Sequence, residues 1–175
     1  MSNSNQRLIK PPLGLIDPDH LKPDEQVLVK LNYEMFPDRK TLLLKKGSFL
    51  VKWNSFFDPF DKVYDVTQEE FPFAALHWMI DRIENGFWKK PTDGGLPNTE
   101  RRVSKLFDDE LIGINVAMHC CAENLPGYII RNANRKSYIT DTPPQEWHLP
   151  RYMLREEGFL DRLKDIWRRH EAGQL

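Results

Sequence analysis

The segment from Phe71 to Gly86 places the strongest constraint on the fold. Its apolar residues lie three or four positions apart and form one broad arc on a helical projection; they are Ala75, Leu76, Met79, Ile80 and Ile83. Pro72 suits only the first turn of a helix, and Gly86 is typical of the position after a helix ends. The sequence therefore predicts a mostly buried helix that begins near Phe71 and is closed by Gly86.

Four polar residues of this helix share one narrow face: His77, Asp81, Glu84 and Asn85. A carboxylate beside an imidazole can orient it for acid–base chemistry or for metal binding. The same pattern is typical of the solvated edge of a buried helix, and no HExxH-type motif accompanies it. His77, Asp81 and Glu84 are thus the catalytic candidates, and an ordinary surface stripe is the simpler interpretation.

Composition limits the class of protein. A chain of 175 residues with a net charge of −1 fits one ordinary globular domain, and any nucleic-acid binding would need a local basic patch. No apolar run is long enough to cross a bilayer, and the first residues lack the apolar core of a signal peptide, so we expect a cytoplasmic protein. The adjacent Cys120 and Cys121 are expected to be free thiols.

The first part of the chain predicts an arm followed by strands. Residues 1–23 contain four prolines and should form an extended arm, docked on its own domain or on a partner, ahead of one globular domain over residues 24–175. Residues 26–33 alternate in polarity and predict a half-buried strand with Val27, Val29, Leu31 and Tyr33 on one face. Two apolar runs, at 42–44 and 49–53, predict a hairpin.

Further elements follow along the chain. Residues 54–61 are predicted as a loop held to the core by its phenylalanines, and residues 63–66 as a short strand. Apolar residues recur every three to four positions between 100 and 123, which predicts a second buried helix. Residues 128–131 and 136–140 predict a second hairpin. Residues 151–172 predict an amphipathic helix with a break at Gly158.

Together these elements predict a single α+β domain. A mainly antiparallel sheet should pack against the two buried helices, with the C-terminal amphipathic helix closing the domain. The sequence shows no internal repeat.

Two basic segments are candidates for binding nucleic acid. Aromatic rings can stack on bases, and lysine and arginine can meet phosphates. The candidates are Trp88, Lys89 and Lys90 after the central helix, and Arg131, Asn134, Arg135 and Lys136 at the tip of the second hairpin. A plain connecting loop and a solvated turn are the simpler interpretations of the two segments.

The terminal helix carries Trp167, Arg168 and Arg169, and Trp and Arg are residue types in which binding energy concentrates. A solvated helix face with charge pairs is the alternative. No phosphate loop, nucleophile motif, metal-ligand set or cofactor signature is present, which weighs against an enzyme. We therefore expect a non-catalytic cytoplasmic protein, a regulatory or accessory subunit that binds protein partners without cofactor or metal. Nucleic-acid binding and metal-assisted hydrolysis are the alternatives, and the oligomeric state stays open.

Overall fold

The computed structural model describes residues 8–32, 38–121 and 124–175. They form two four-stranded antiparallel sheets in which sequential strands are neighbours. Each sheet is followed by helical structure, so one arrangement of four strands and a helix occurs twice without a visible sequence repeat. The predicted α+β class, with antiparallel pairing and a C-terminal helix, is confirmed, and the strands form two sheets where one was predicted.

The first sheet contains β1 (Glu25–Leu31), β2 (Lys40–Lys46), β3 (Phe49–Asp58) and β4 (Val63–Pro72). Helix α1 (Ala75–Asp81) continues as a π-helical turn, Arg82–Phe87, and a short 3-10 turn follows at Pro91–Asp93. The second sheet contains β5 (Arg102–Phe107), β6 (Glu110–Cys120), β7 (Leu125–Asn132) and β8 (Gln145–Pro150). Helices α2 (Arg151–Arg155) and α3 (Phe159–Glu171) complete the fold.

One apolar core joins the sheets to the helices. The predicted arc on α1 is buried, and the inner face of α3 buries Phe159, Leu160, Leu163 and Ile166. The predicted break at Gly158 lies between α2 and α3, where this glycine has a φ of 68°. The central helix begins at Ala75 rather than near Phe71, because β4 extends through Pro72.

The predicted helix over residues 100–123 is wrong. Its described part forms the β5–β6 hairpin, and Glu123 lies outside the described residues. Ile112, Ile114 and Val116 alternate toward the core, as the period of a strand requires. Such β-branched side chains pack well on a pleated sheet, and this overrides the three-to-four spacing.

The turn of this hairpin carries a signal of its own. Asp108 and Asp109 have φ values of 45° and 66°, and they connect the paired residues Phe107 and Glu110. Positive φ at both central residues is the geometry of a two-residue type I′ turn, which matches the twist of the flanking strands. Asp tolerates this geometry better than most residues. The Asp pair therefore marks a hairpin.

The predicted second hairpin is also wrong in its partner strand. β7 pairs with β8, not with residues 136–140. The segment after β7 pairs with the N-terminal arm instead: the Lys10 N–H donates to the Asn134 carbonyl at 2.6 Å, and the Lys136 N–H donates to the Lys10 carbonyl at 3.1 Å. Distant residues of the arm thus take the hydrogen bonds that a local strand would have made.

Two smaller expectations change in the first sheet. A bulge between Val27 and Val29 shifts the register of β1, so Val27 is 39% exposed; Tyr33 lies outside the described residues. The predicted loop at 54–61 is wrong, because β3 runs through Asp58 and its phenylalanines do not anchor it to the core. The β2–β3 hairpin is confirmed, with Gly47 at a φ of 54° in its turn.

The described part of the arm covers the outer face of the first sheet. Ile16 is buried there in a small cluster with Leu42, Leu44, Val51 and Trp53. The indole nitrogen of Trp53 donates to the Ile16 carbonyl at 3.1 Å. Residues 1–7 lie outside the described residues.

Candidate functional site

The polar stripe of α1 is divided among separate partners. His77 is exposed and stacks on Trp167, with 5.4 Å between ring centroids. The Asp81 carboxylate accepts hydrogen bonds from Arg82 and Asn85, and these bonds lower the pKa of Asp81. The imidazole and the carboxylate therefore sit on an open helix surface with contacts of their own.

The remaining members of the stripe and of α3 are also engaged. Glu84 pairs with Lys164 of α3. Arg168 is 80% exposed and pairs with Asp165, while Trp167 is half-buried. Nowhere in residues 8–32, 38–121 and 124–175 do three His, Cys, Asp or Glu side chains come together as a metal site.

Two of the four residues predicted for the basic tip are internal. The Asn134 side chain donates to the Leu8 carbonyl at 2.7 Å and accepts from the Leu111 N–H at 2.7 Å. Arg135 is only 5% exposed. Arg131 pairs at 2.7 Å with a carboxylate on the neighbouring strand β8. Lys136 pairs at 3.3 Å with a carboxylate in the loop that follows it. Arg135 and Asn134 thus bind the protein itself.

Arg135 lies between two fully buried carboxylates. Its guanidinium donates to Glu110 at 2.6 and 2.9 Å and lies 3.7 Å from Glu70. The ring of Phe49 covers the guanidinium at 4.5 Å. Burial alone would raise the pKa of Glu110, but hydrogen bonds from Arg135 and Asn132 outweigh that effect and lower it.

This cluster, which we call the seam, joins the two sheets and the arm. The Asn132 side chain donates to the Glu70 carbonyl at 2.8 Å, and the Gln145 side chain accepts from the Glu70 N–H at 2.6 Å. On the arm side, the Leu13 N–H donates to the Glu70 carboxylate at 3.0 Å, and Tyr138 donates to it at 2.6 Å. Side chains thus replace a backbone ladder between β4 and the second sheet.

The first sheet carries a protruding ribbon. β2 pairs with β3 only as far as Ser55, whereas β3 and β4 stay paired to Asp58 and Val63. Residues 56–65 therefore form a two-stranded ribbon beyond the end of β2. A two-stranded ribbon buries little surface and is marginally stable by itself.

The ribbon presents large apolar side chains to solvent. Phe57 and Tyr64 face each other across the strands, with ring centroids 5.3 Å apart. Phe60 at the tip is 92% exposed, and Tyr64 is 70% exposed. Val63, at 48% exposure, completes the patch, which we call the aromatic ribbon. Contiguous exposed aromatic surface is typical of interaction sites.

The aromatic ribbon also carries acidic charge and a defined turn. Asp58, Asp61 and Asp65 outnumber the single cation Lys62. The Asp58 carboxylate accepts from the Phe60 N–H at 2.7 Å, which fixes the backbone that presents the ring. Sequence reasoning missed this surface because three phenylalanines in one segment indicate a buried anchor.

Comparisons with known proteins leave the site to be interpreted on its geometry. The chain matches no protein-family model, and no curated protein or solved structure is significantly similar to it. Within the described residues, the helices are too short or too polar to span a bilayer.

Proposed function

We propose that this protein is a non-catalytic cytoplasmic binding protein, a regulatory or accessory subunit, and that the aromatic ribbon is its contact surface. The observation that carries the proposal is the 92% exposure of Phe60 at the tip of a ribbon in which the other residues are also not buried. Phe and Tyr are enriched in protein interfaces, where a few buried anchor residues carry most of the binding energy.

Charge indicates the chemistry of the partner. Three aspartates and one lysine give the ribbon a negative local charge around its aromatic rings. A complementary surface is an apolar pocket that accepts Phe60 and is bordered by lysine or arginine side chains. Charges at such a rim increase the association rate, and this effect falls with salt.

The test is capture from native cytosol, with nuclease present, using tagged wild-type protein and a Phe60→Ser variant. The matched control is Leu106→Ser. Leu106 is 60% exposed on β5, so this substitution also removes an exposed apolar side chain, but one outside the ribbon. We expect one defined protein to bind the wild type and the control but not Phe60→Ser. For a central anchor the loss is about 2 kcal/mol or more, roughly thirtyfold in affinity.

Two further measurements sharpen the test. An Asp61→Lys, Asp65→Lys variant should slow association with the captured protein and reverse its salt dependence, because the charged rim is then of the wrong sign. Light scattering on wild type and Phe60→Ser reports whether a second copy is the partner. Identical sets of bound proteins for Phe60→Ser and Leu106→Ser would contradict the proposal.

A further inference from the structure

A cavity of about 340 Å³ opens at one end of the core, outside both the seam and the aromatic ribbon. Its wall combines the loop after the π-helical turn, the end of β6 and helix α2. The apolar lining includes Leu96, Val116 and Met118, and the aromatic lining includes Trp88 and Tyr128. Met118 is 58% exposed, so this end of the core is open to solvent.

Cations dominate the polar lining of this cavity. Lys89, Arg101, Arg151 and Arg155 line it, against the single carboxylate of Glu100. None of these four cations forms an ion pair with a carboxylate in the part of the chain that the structure describes. Four like charges around one concave surface raise the local potential and attract an anion of matching charge.

One of the arginines lies against the aromatic wall. The guanidinium of Arg155 lies over the ring of Trp88, 4.3 Å from its centroid. Burial raises the pKa of Tyr128, and the positive charges of Arg151 and Arg155 oppose that rise. Arg155 and the Trp88 ring therefore form one wall of the cavity, and Arg151 lines the cavity from the same helix, α2.

We propose that this cavity binds a phosphate monoester. Guanidinium groups match the oxygens of a phosphate in a two-pronged geometry, and a dianion suits a net excess of three positive charges among the lining residues. The cavity is larger than a bare phosphate, and Leu96 and Met118 offer apolar contacts to the organic part. The monoester comes from a free phosphorylated small molecule or from a phosphorylated side chain of a protein.

The same geometry disfavours a nucleic-acid base in this cavity. Base stacking requires a free aromatic face. The Trp88 ring packs against the core and carries Arg155 over its face. Trp88 and Lys89 were nucleic-acid candidates from the sequence alone, and their placement assigns them to an anion site. Lys90, the third candidate, is exposed and does not line the cavity.

The experiment measures binding of four probes to the full chain by calorimetry and by the NMR shift of the Trp88 indole. The probes are inorganic phosphate, O-phosphoserine, a short peptide containing phosphoserine, and an oligothymidine without terminal phosphate. The test variant is Arg101→Glu, Arg151→Glu, in which both changed side chains are exposed. The control is Lys90→Glu, which reverses a charge beside the cavity. Arg101→Gln serves as a milder second variant.

We expect the test variant to bind O-phosphoserine at least tenfold more weakly than the wild type, and Lys90→Glu to stay within twofold. Tighter binding of the phosphopeptide than of O-phosphoserine identifies a protein as the source, and equal binding identifies a free small molecule. The proposal is overturned if no phosphate probe binds the wild type, if Lys90→Glu weakens binding as much as the test variant, or if the oligothymidine binds more tightly than O-phosphoserine. It does not depend on the aromatic ribbon, so either proposal can fail alone.

Discussion

Replacing Arg135 by methionine should lower the free energy of unfolding by about 3–5 kcal/mol, the usual cost of removing one partner from a buried ion pair. The substitution leaves the Glu110 and Glu70 carboxylates, both 0% exposed as side chains, without their shared cation. Domains are stable by only about 5–15 kcal/mol, so this loss is a large share of the total. For a chain of this size it corresponds to a melting temperature lower by about 6–20 °C.

The neighbouring residue supplies the matched control. Lys136 is 39% exposed as a side chain and pairs with Asp141, which is 86% exposed. Such a surface pair contributes about 0–1 kcal/mol, so Lys136→Met should change little. Urea unfolding at pH 7, followed by tryptophan fluorescence, compares the two variants with the wild type. Equal costs for the two substitutions, or a cost below about 1 kcal/mol for Arg135→Met, would refute the assignment of Arg135 to a buried seam.

The pH dependence provides a second readout of the same variant. The pKa of Glu110 is lowered in the folded protein from its ordinary value of 4.5. Its contribution to stability is therefore present above pH 4.5 and is lost as the pH falls through the lower folded pKa. Without Arg135, burial should raise the pKa of Glu110 instead, so protonation relieves the cost. The stability gap between wild type and Arg135→Met should narrow from pH 7 toward pH 4.

Three further predictions concern the turn, the arm and the thiols. Asp109→Gly should increase the free energy of unfolding by about 0.5–1 kcal/mol and so raise the melting temperature, because Gly adopts positive φ at no steric cost. An unchanged or lower melting temperature would contradict the type I′ turn. Ile16→Ala should cost about 2–4 kcal/mol in urea unfolding, and Leu15→Ala, whose side chain is 51% exposed, should cost far less; similar costs would show that the arm is not docked. Burial raises the pKa of the Cys120 thiol to about 11. A thiol reagent at pH 8 should therefore label half-exposed Cys121 much faster than Cys120 in the native protein, and label both cysteines at similar rates in urea. Equal labelling rates in the native protein would contradict the burial of Cys120.

The sequence predicts the elements whose burial is decided locally. The apolar arc of α1 and the inner face of α3 can be read from spacing alone, because one helix face meets one core. The spacing of apolar residues does not predict β6 correctly. Ile112, Ile114 and Val116 match the two-residue period of a strand, but the segment around them also matches the period of a helix. The Asp108–Asp109 turn was the signal that decides between them.

The candidate sites were predictable only in part. Arg135 and Lys136 are adjacent cations that the sequence does not distinguish. Arg135 is internal because the fold places Glu110 and the distant Glu70 beside it. The exposure of Phe60 follows from β3 and β4 extending past β2, which no local pattern encodes. Trp88 and Lys89, which are neighbours in the sequence, both line the cavity, but the arginines that complete its basic lining come from other elements.

The seam has a consequence for how the chain matures during synthesis. The arm is synthesised before the two sheets, yet Leu8 binds Asn134, which is made 126 residues later. Glu70 likewise waits for Tyr138, 68 residues further along the chain. Until those residues emerge, Glu70 lacks the hydrogen-bond partners of the finished protein, and the first sheet lacks the second sheet that completes its core, so its early stable folding is disfavoured. The nascent chain should therefore stay accessible to chaperones until most of it has been translated and then fold in one cooperative step.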